Sequence, residues 1–113
     1  MLLESQRRIL QAKLEDILGV KKVYFQPPSN VTMVYPCIVY HYDGEDSLHA
    51  DDKKYCIIDK YSLTLISKDP VPDTVLNAVG AIPYSIFNRY YSADNLHHWS
   101  FSLTMTKTLE RNE

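Results

Sequence analysis

The sequence predicts an α+β domain, a single mostly antiparallel sheet with two helices on one face, in the order α-β-β-β-α-β-β. Three observations predict it. Helical spacing of apolar residues occurs in only two places, near the N-terminus and after residue 72. Short runs alternating between apolar and polar residues recur along the rest of the chain. Corners rich in Pro, Asp and Asn separate those runs. With 113 residues, 45% of them hydrophobic, the chain holds enough apolar side chain for one core, and it reads as one domain over 1–113. Nine Tyr against three Gly fit a sheet-rich, ordered chain.

The first helix is expected over about 2–18. Leu3, Leu10, Leu14, Ile17 and Leu18 recur at helical spacing, and Glu4, Arg7, Arg8, Lys13 and Glu15 take the other faces. Gly19 stands where a helix-ending glycine belongs. Residues 20–25 read as the first strand, with Val23 and Phe25 on one face and Tyr24 on the other. Pro27 and Pro28 have no N–H for a ladder and must end it. Residues 37–42 form the second strand, and Cys37-Ile38-Val39-Tyr40 reads as covered on both faces. The third strand, 59–67, turns Tyr61, Leu63 and Leu65 inward and Ser62 and Thr64 outward.

Asp69-Pro70-Val71-Pro72 is a rigid corner. Asp73 is expected to cap a short helix over about 74–82, with Val75, Leu76, Val79 and Ile82 as its apolar contacts and Pro83 as its stop. A C-terminal hairpin, 84–106, closes the domain. Asn95 suits the left-handed position that ends a three-residue loop. That register sets Phe87 opposite Phe101 and Arg89 opposite Trp99, with the guanidinium over the indole. Trp99, Phe101, Leu103 and Met105 face inward, and 107–113 is a polar tail expected to fray.

The residues offer little chemistry. A formal charge of −2 gives no whole-molecule attraction to nucleic acid or anionic lipid. The N-terminus reaches Arg7-Arg8 before any apolar run, unlike a signal peptide, and no stretch has the length of a membrane span. Cys37 and Cys56 are expected to be reduced, packed thiols. His97 and His98 are adjacent on a strand, so they leave on opposite faces. His41 approaches Cys56 only if the second and third strands pair suitably, and a lone Cys-His pair is a weak metal signal. Spacings such as Cys-x-x-Cys or His-x-x-x-His are missing, as are a phosphate-cradling Gly loop and a nucleophile with its base. The expectation is therefore no enzyme, no cofactor and no metal.

One segment resists a purely structural account. Residues 43–54, DGEDSLHADDKK, hold five acids and two lysines, a local charge of −3. They read as a long acidic loop where two to five residues suffice to join two strands. The bland interpretation is a solvated loop. The functional one is a partner-binding arm presenting Asp43, Glu45, Asp46, His49, Asp51, Asp52, Lys53 and Lys54.

With the elements placed, the chain resembles the small tail-completion and tail-terminator proteins of long-tailed phages. The likeness rests on Val23-Tyr24-Phe25-Gln26-Pro27-Pro28, Met33 with Tyr35-Pro36-Cys37-Ile38-Val39-Tyr40, Asp59-Lys60-Tyr61, and Asp69-Pro70 before the short helix. It continues through Phe87-Asn88-Arg89 and Ala93-Asp94-Asn95-Leu96-His97-His98, and spans roughly 10–106. Its specificity lies in order and spacing, since no segment is a catalytic fingerprint. The resemblance implies a structural virion protein assembled in the host bacterial cytoplasm. It forms a homo-oligomeric ring, commonly a hexamer, that caps the tail tube and joins it to the head. Its implied partners are further copies of itself, the tail tube protein and a head connector protein, with DNA passing through the channel unread and no membrane involved. A neighbouring head-completion role is also compatible. The competing class is a small intracellular binding module or enzyme with His41, Cys56 or His97 in a pocket.

Overall fold

In the computed structural model the chain runs α1 (Leu2–Leu18), β1 (Val23–Phe25), β2 (Cys37–Ala50), β3 (Lys53–Ser67), α2 (Asp73–Gly80), β4 (Ile86–Ala93) and β5 (Leu96–Thr108). The structure describes residues 2–19, 22–28, 32–50, 53–69 and 72–108. The class is α+β. One five-stranded sheet has the order β1-β2-β3-β5-β4. It is mixed: β1 lies parallel to β2, and the other three pairings are antiparallel.

Both helices pack on one face of this sheet, because that face carries the continuous apolar surface. Ile38 and Tyr40 of β2, Tyr61, Leu63 and Leu65 of β3, and Trp99, Phe101 and Leu103 of β5 form one buried cluster with Leu10 and Leu14 of α1 and Val79 of α2. Ile17, Leu18, Val75, Leu76 and Met105 pack around it, partly buried. The residues expected inward on β3 and β5 are thus found inward, and of the β2 run expected to be covered on both faces, Cys37, Ile38 and Tyr40 are buried and Val39 half-buried. The Leu3 side chain, Val20, Pro70 and Val71 lie outside the described residues.

The end of α1 follows from its glycine. Gly19 has φ +82°, a region open to a residue without Cβ, and its N–H donates to the Glu15 carbonyl at 2.9 Å. Beyond β1, Gln26 also turns left-handed at φ +44°, directly before Pro27 and Pro28. Its N–H still reaches the Tyr40 carbonyl at 2.9 Å, and its side-chain carbonyl accepts from the Tyr42 N–H at 3.1 Å. The Tyr35–Pro36 peptide is cis.

Several expectations need correction. Asp73 does not cap α2. It lies in the first turn, with Pro72 at the cap position and no side-chain cap bond. A carboxylate there still favours the helix through its dipole. The β4–β5 loop has two residues, not three. Ala93 pairs with Leu96, and Asp94 and Asn95 both have positive φ, 54° and 61°, as a type I′ turn demands. Phe87 does face Phe101, but the extra residue Asn88 bulges out of β4, so Tyr90 rather than Arg89 lies opposite Trp99. The Arg89 guanidinium sits over the Tyr91 ring instead, 4.7 Å from its centroid. Strand β5 runs on to Thr108, paired with Cys56, so Lys107 and Thr108 belong to the sheet; 109–113 lie outside the described residues.

The largest correction concerns 43–54. This segment is not a loop: β2 and β3 continue as a paired hairpin until Ala50 faces Lys53. The register slips once at Tyr42/Gly44, where Gly44 has φ +139°, and again at Leu48/His49. The bulges let a ribbon outgrow the core while twisting away from it. This arm accounts for the elongated shape, 54 × 26 × 22 Å.

Candidate functional site

The sequence-predicted partner residues are carried on this arm. Neighbours on a strand alternate between its two sides, so Glu45 and Asp46 cannot present one acidic patch. Their charges are also partly answered across the ribbon. Lys60 Nζ lies 3.4 Å from the Asp46 carboxylate, and Ser62 Oγ donates to Asp43 Oδ1 at 3.3 Å. Lys53 and Lys54 face Ala50 and His49. Asp51 and Asp52, at the tip, lie outside the described residues. The arm is therefore a charge-striped ribbon, with Leu48 as an exposed apolar residue.

Alongside this half of β2, no strand among the described residues pairs on the side away from β3. Strand β1 stops at Phe25, opposite Tyr40, and leaves 43–50 as an open edge. The opposite side of the sheet ends in β4, also an open edge. Here sequence reasoning missed a run of exposed apolar residues: Tyr84, Ile86, Phe87 and Tyr90 are 48–74% exposed, with Phe87 and Tyr90 on the helix-bearing face opposite Phe101 and Trp99, and Ile86 on the other face opposite Ser102. The helices cover the sheet above β2, β3 and β5 but stop short of β4. Phe87 packs edge-on against buried Phe101 at 5.4 Å, and Tyr90 against Trp99 at 5.3 Å, with their outer surfaces in solvent. Edge strands are normally blunted by Pro, Lys or short length, and contiguous exposed apolar surface marks contact sites. Ile86–Ala93 is eight residues long, with no Pro or Lys.

A second polar feature lies under α1. Tyr40 hydroxyl donates to Gln11 Oε1 at 2.5 Å, and Gln11 Nε2 donates to the Val23 carbonyl at 3.0 Å and to Glu15 Oε2 at 3.1 Å. The Arg7 guanidinium donates to the Tyr40 oxygen at 3.4 Å and stacks over Phe25 at 4.9 Å. Deeper in, Tyr42 hydroxyl donates to the buried Asp59 at 3.4 Å. Burial first, then the Asp59 charge, pushes the Tyr61 hydroxyl above the ordinary tyrosine range; the same two causes raise Tyr42. Both stay neutral phenols. The network ties α1 to β1 and β2, and nothing in it is placed to attack a substrate.

The other candidate groups remain apart. Ser62 faces His41 and Leu48 faces Cys56, so the suggested His41–Cys56 approach does not occur. Both cysteines are free and buried, and burial pushes the Cys37 thiol up to about 11, away from thiolate character. His97 and His98 leave on opposite faces, stacked on Tyr90 and Tyr91. At the sheet end opposite the arm lie two open grooves of about 570 and 660 Å³. They share Tyr35 and Lys68, and neither has a His or Cys in its lining.

The chain matches no known protein family and no characterised protein sequence. Among the described residues, no three His, Cys, Asp or Glu side chains gather as metal ligands, and no helix is long and apolar enough to cross a membrane. Elemental analysis of the purified protein is accordingly expected to find no stoichiometric zinc or iron; one equivalent of either would overturn this reading of the histidines and cysteines.

Proposed function

We infer that this chain is a structural assembly protein of the phage tail-completion and tail-terminator kind, whose activity is its shape. The observation that carries the inference is the uncovered apolar strip along the β4 edge, with Phe87 and Tyr90 on its helix side, Ile86 on the other face and Tyr84 just before the strand, at the rim of a well-packed sheet. Such a strip needs a protein partner, and a ring of identical subunits supplies one for every copy. The long arm and the separated histidines and cysteines fit the same reading better than a His/Cys pocket.

In this role the ring, expected to hold six copies, sits at the neck of the virion. It stops growth of the tail tube on one side and offers a surface to the head connector on the other. DNA crosses its channel without being read, and a net charge of −2 does nothing to retain it. The test is the copy number in assembled tails, from imaging of the neck. Copies are expected to match the tube's cyclic symmetry. A number unrelated to that symmetry, or finished tails lacking the protein, overturns the reading. A monomer in dilute solution does not, since a weak interface is able to form on the tube as template.

A further inference from the structure

The geometry points to the contact between neighbouring copies: the β4 edge of one subunit pairs with the β2 arm edge, 43–50, of the next, joining their sheets. This rests on the ring reading and goes beyond it, because it assigns which surfaces meet. Three observations select the arm of a second copy as the occupant. The two open edges lie at opposite sides of one sheet, so their union is head-to-tail, the type of contact that closes into rings rather than stopping at a dimer. They match in length, since Ile86–Ala93 and the free part of β2 are each eight residues long, with alternate residues turning their backbone N–H and C=O to the open side. They also match in chemistry. The arm strand carries net negative charge, with Asp46 near Lys60 and Asp43 bonded by Ser62 but Glu45 exposed beside exposed Leu48, whereas β4 carries Arg89 as its one charge, on the same face as exposed Ile86. A β4-to-β4 pairing instead sets Arg89 toward its own copy and leaves the arm unused.

Two surface variants and their mixture test this. Ile86→Glu/Arg89→Glu places acids against the acidic arm, and Glu45→Lys/Leu48→Lys places cations against Arg89. All four positions are exposed, so both variants are expected to fold, checked by circular dichroism and melting temperature. Self-association is read by sedimentation across a concentration series of the full chain. Wild type is expected to associate reversibly, and each variant alone at least about tenfold more weakly, because like charges then oppose. An equimolar mixture is expected to recover association, since every contact in it joins either two native edges or two reversed ones. Three results overturn the inference: a wild-type chain still monomeric at about 1 mM, variants that associate as wild type does, or an arm variant that associates alone while the mixture adds nothing. The last identifies a β4-to-β4 contact. None of these touches the copy number in finished tails, so the ring reading stands or falls separately.

Discussion

Replacing Trp99 or Phe101 by Ala is expected to cost about 3–5 kcal/mol of folding stability and to lower the melting temperature by the order of 10 °C or more. Both side chains are buried, 7% and 4% exposed, on the interior strand β5, between β3 and β4 and beneath the helices. Phe101 lies opposite Leu63 on one side and Phe87 on the other, and Trp99 lies opposite Leu65 and Tyr90. Truncation therefore opens a void walled by rigid strands, which collapse poorly around a missing ring. Ile86→Ala is the control. With 63% of its surface exposed, Ile86 contributes little to the subunit, and its loss is expected to change stability by about 0.5 kcal/mol or less. Chemical and thermal unfolding of the three variants decides the matter. Equal melting temperatures for Phe101→Ala and wild type would show that the inward face of β5 has been misassigned.

Shortening the arm is expected to abolish completion of tails while sparing the fold. Replacing residues 48–56 by Asn-Gly lets Ser47 and Ile57, already paired, close the hairpin through a two-residue turn. The deletion removes buried Cys56 and its pairing with Thr108 at the end of β5 but no member of the central cluster, so the subunit is expected to keep its circular dichroism spectrum and to melt within a few degrees of wild type. The variant loses Leu48, His49, Asp51, Asp52, Lys53 and Lys54, and with them the outer three of the eight residues of the proposed docking edge. Asp43, Glu45 and Asp46 stay on the remaining stub. Finished, infectious particles per cell are the readout. A wild-type yield from a normally folded shortened subunit reduces the arm to a passive extension.

Much of the fold was legible because burial writes a period into the sequence. Leu10, Leu14, Ile17 and Leu18 repeat at helical spacing, and Tyr61, Leu63, Leu65, Trp99, Phe101 and Leu103 at spacing two. All of them lie where those periods place them. The arm was illegible for the converse reason. The β2 side of the ribbon lies largely in water, with Glu45, Asp46 and Leu48 exposed, so Glu45, Asp46, Ser47 and Leu48 carry no period and resemble a loop. The bulges at Gly44 and Asn88 were equally silent, and a single extra residue moved Tyr90 into the place expected for Arg89.

The sequence by itself therefore determined the two helices, the inward faces of β3 and β5 and the glycine stop of α1, because each depends on residues close together in the chain. Which strands lie at the edges of the sheet is decided by pairings across distant segments, β3 with β5 and β1 with β2. From the sequence, Phe87 is set opposite inward-facing Phe101. Only the tertiary structure, in which the helices end short of β4, left Phe87 and Tyr90 exposed on the helix-bearing face.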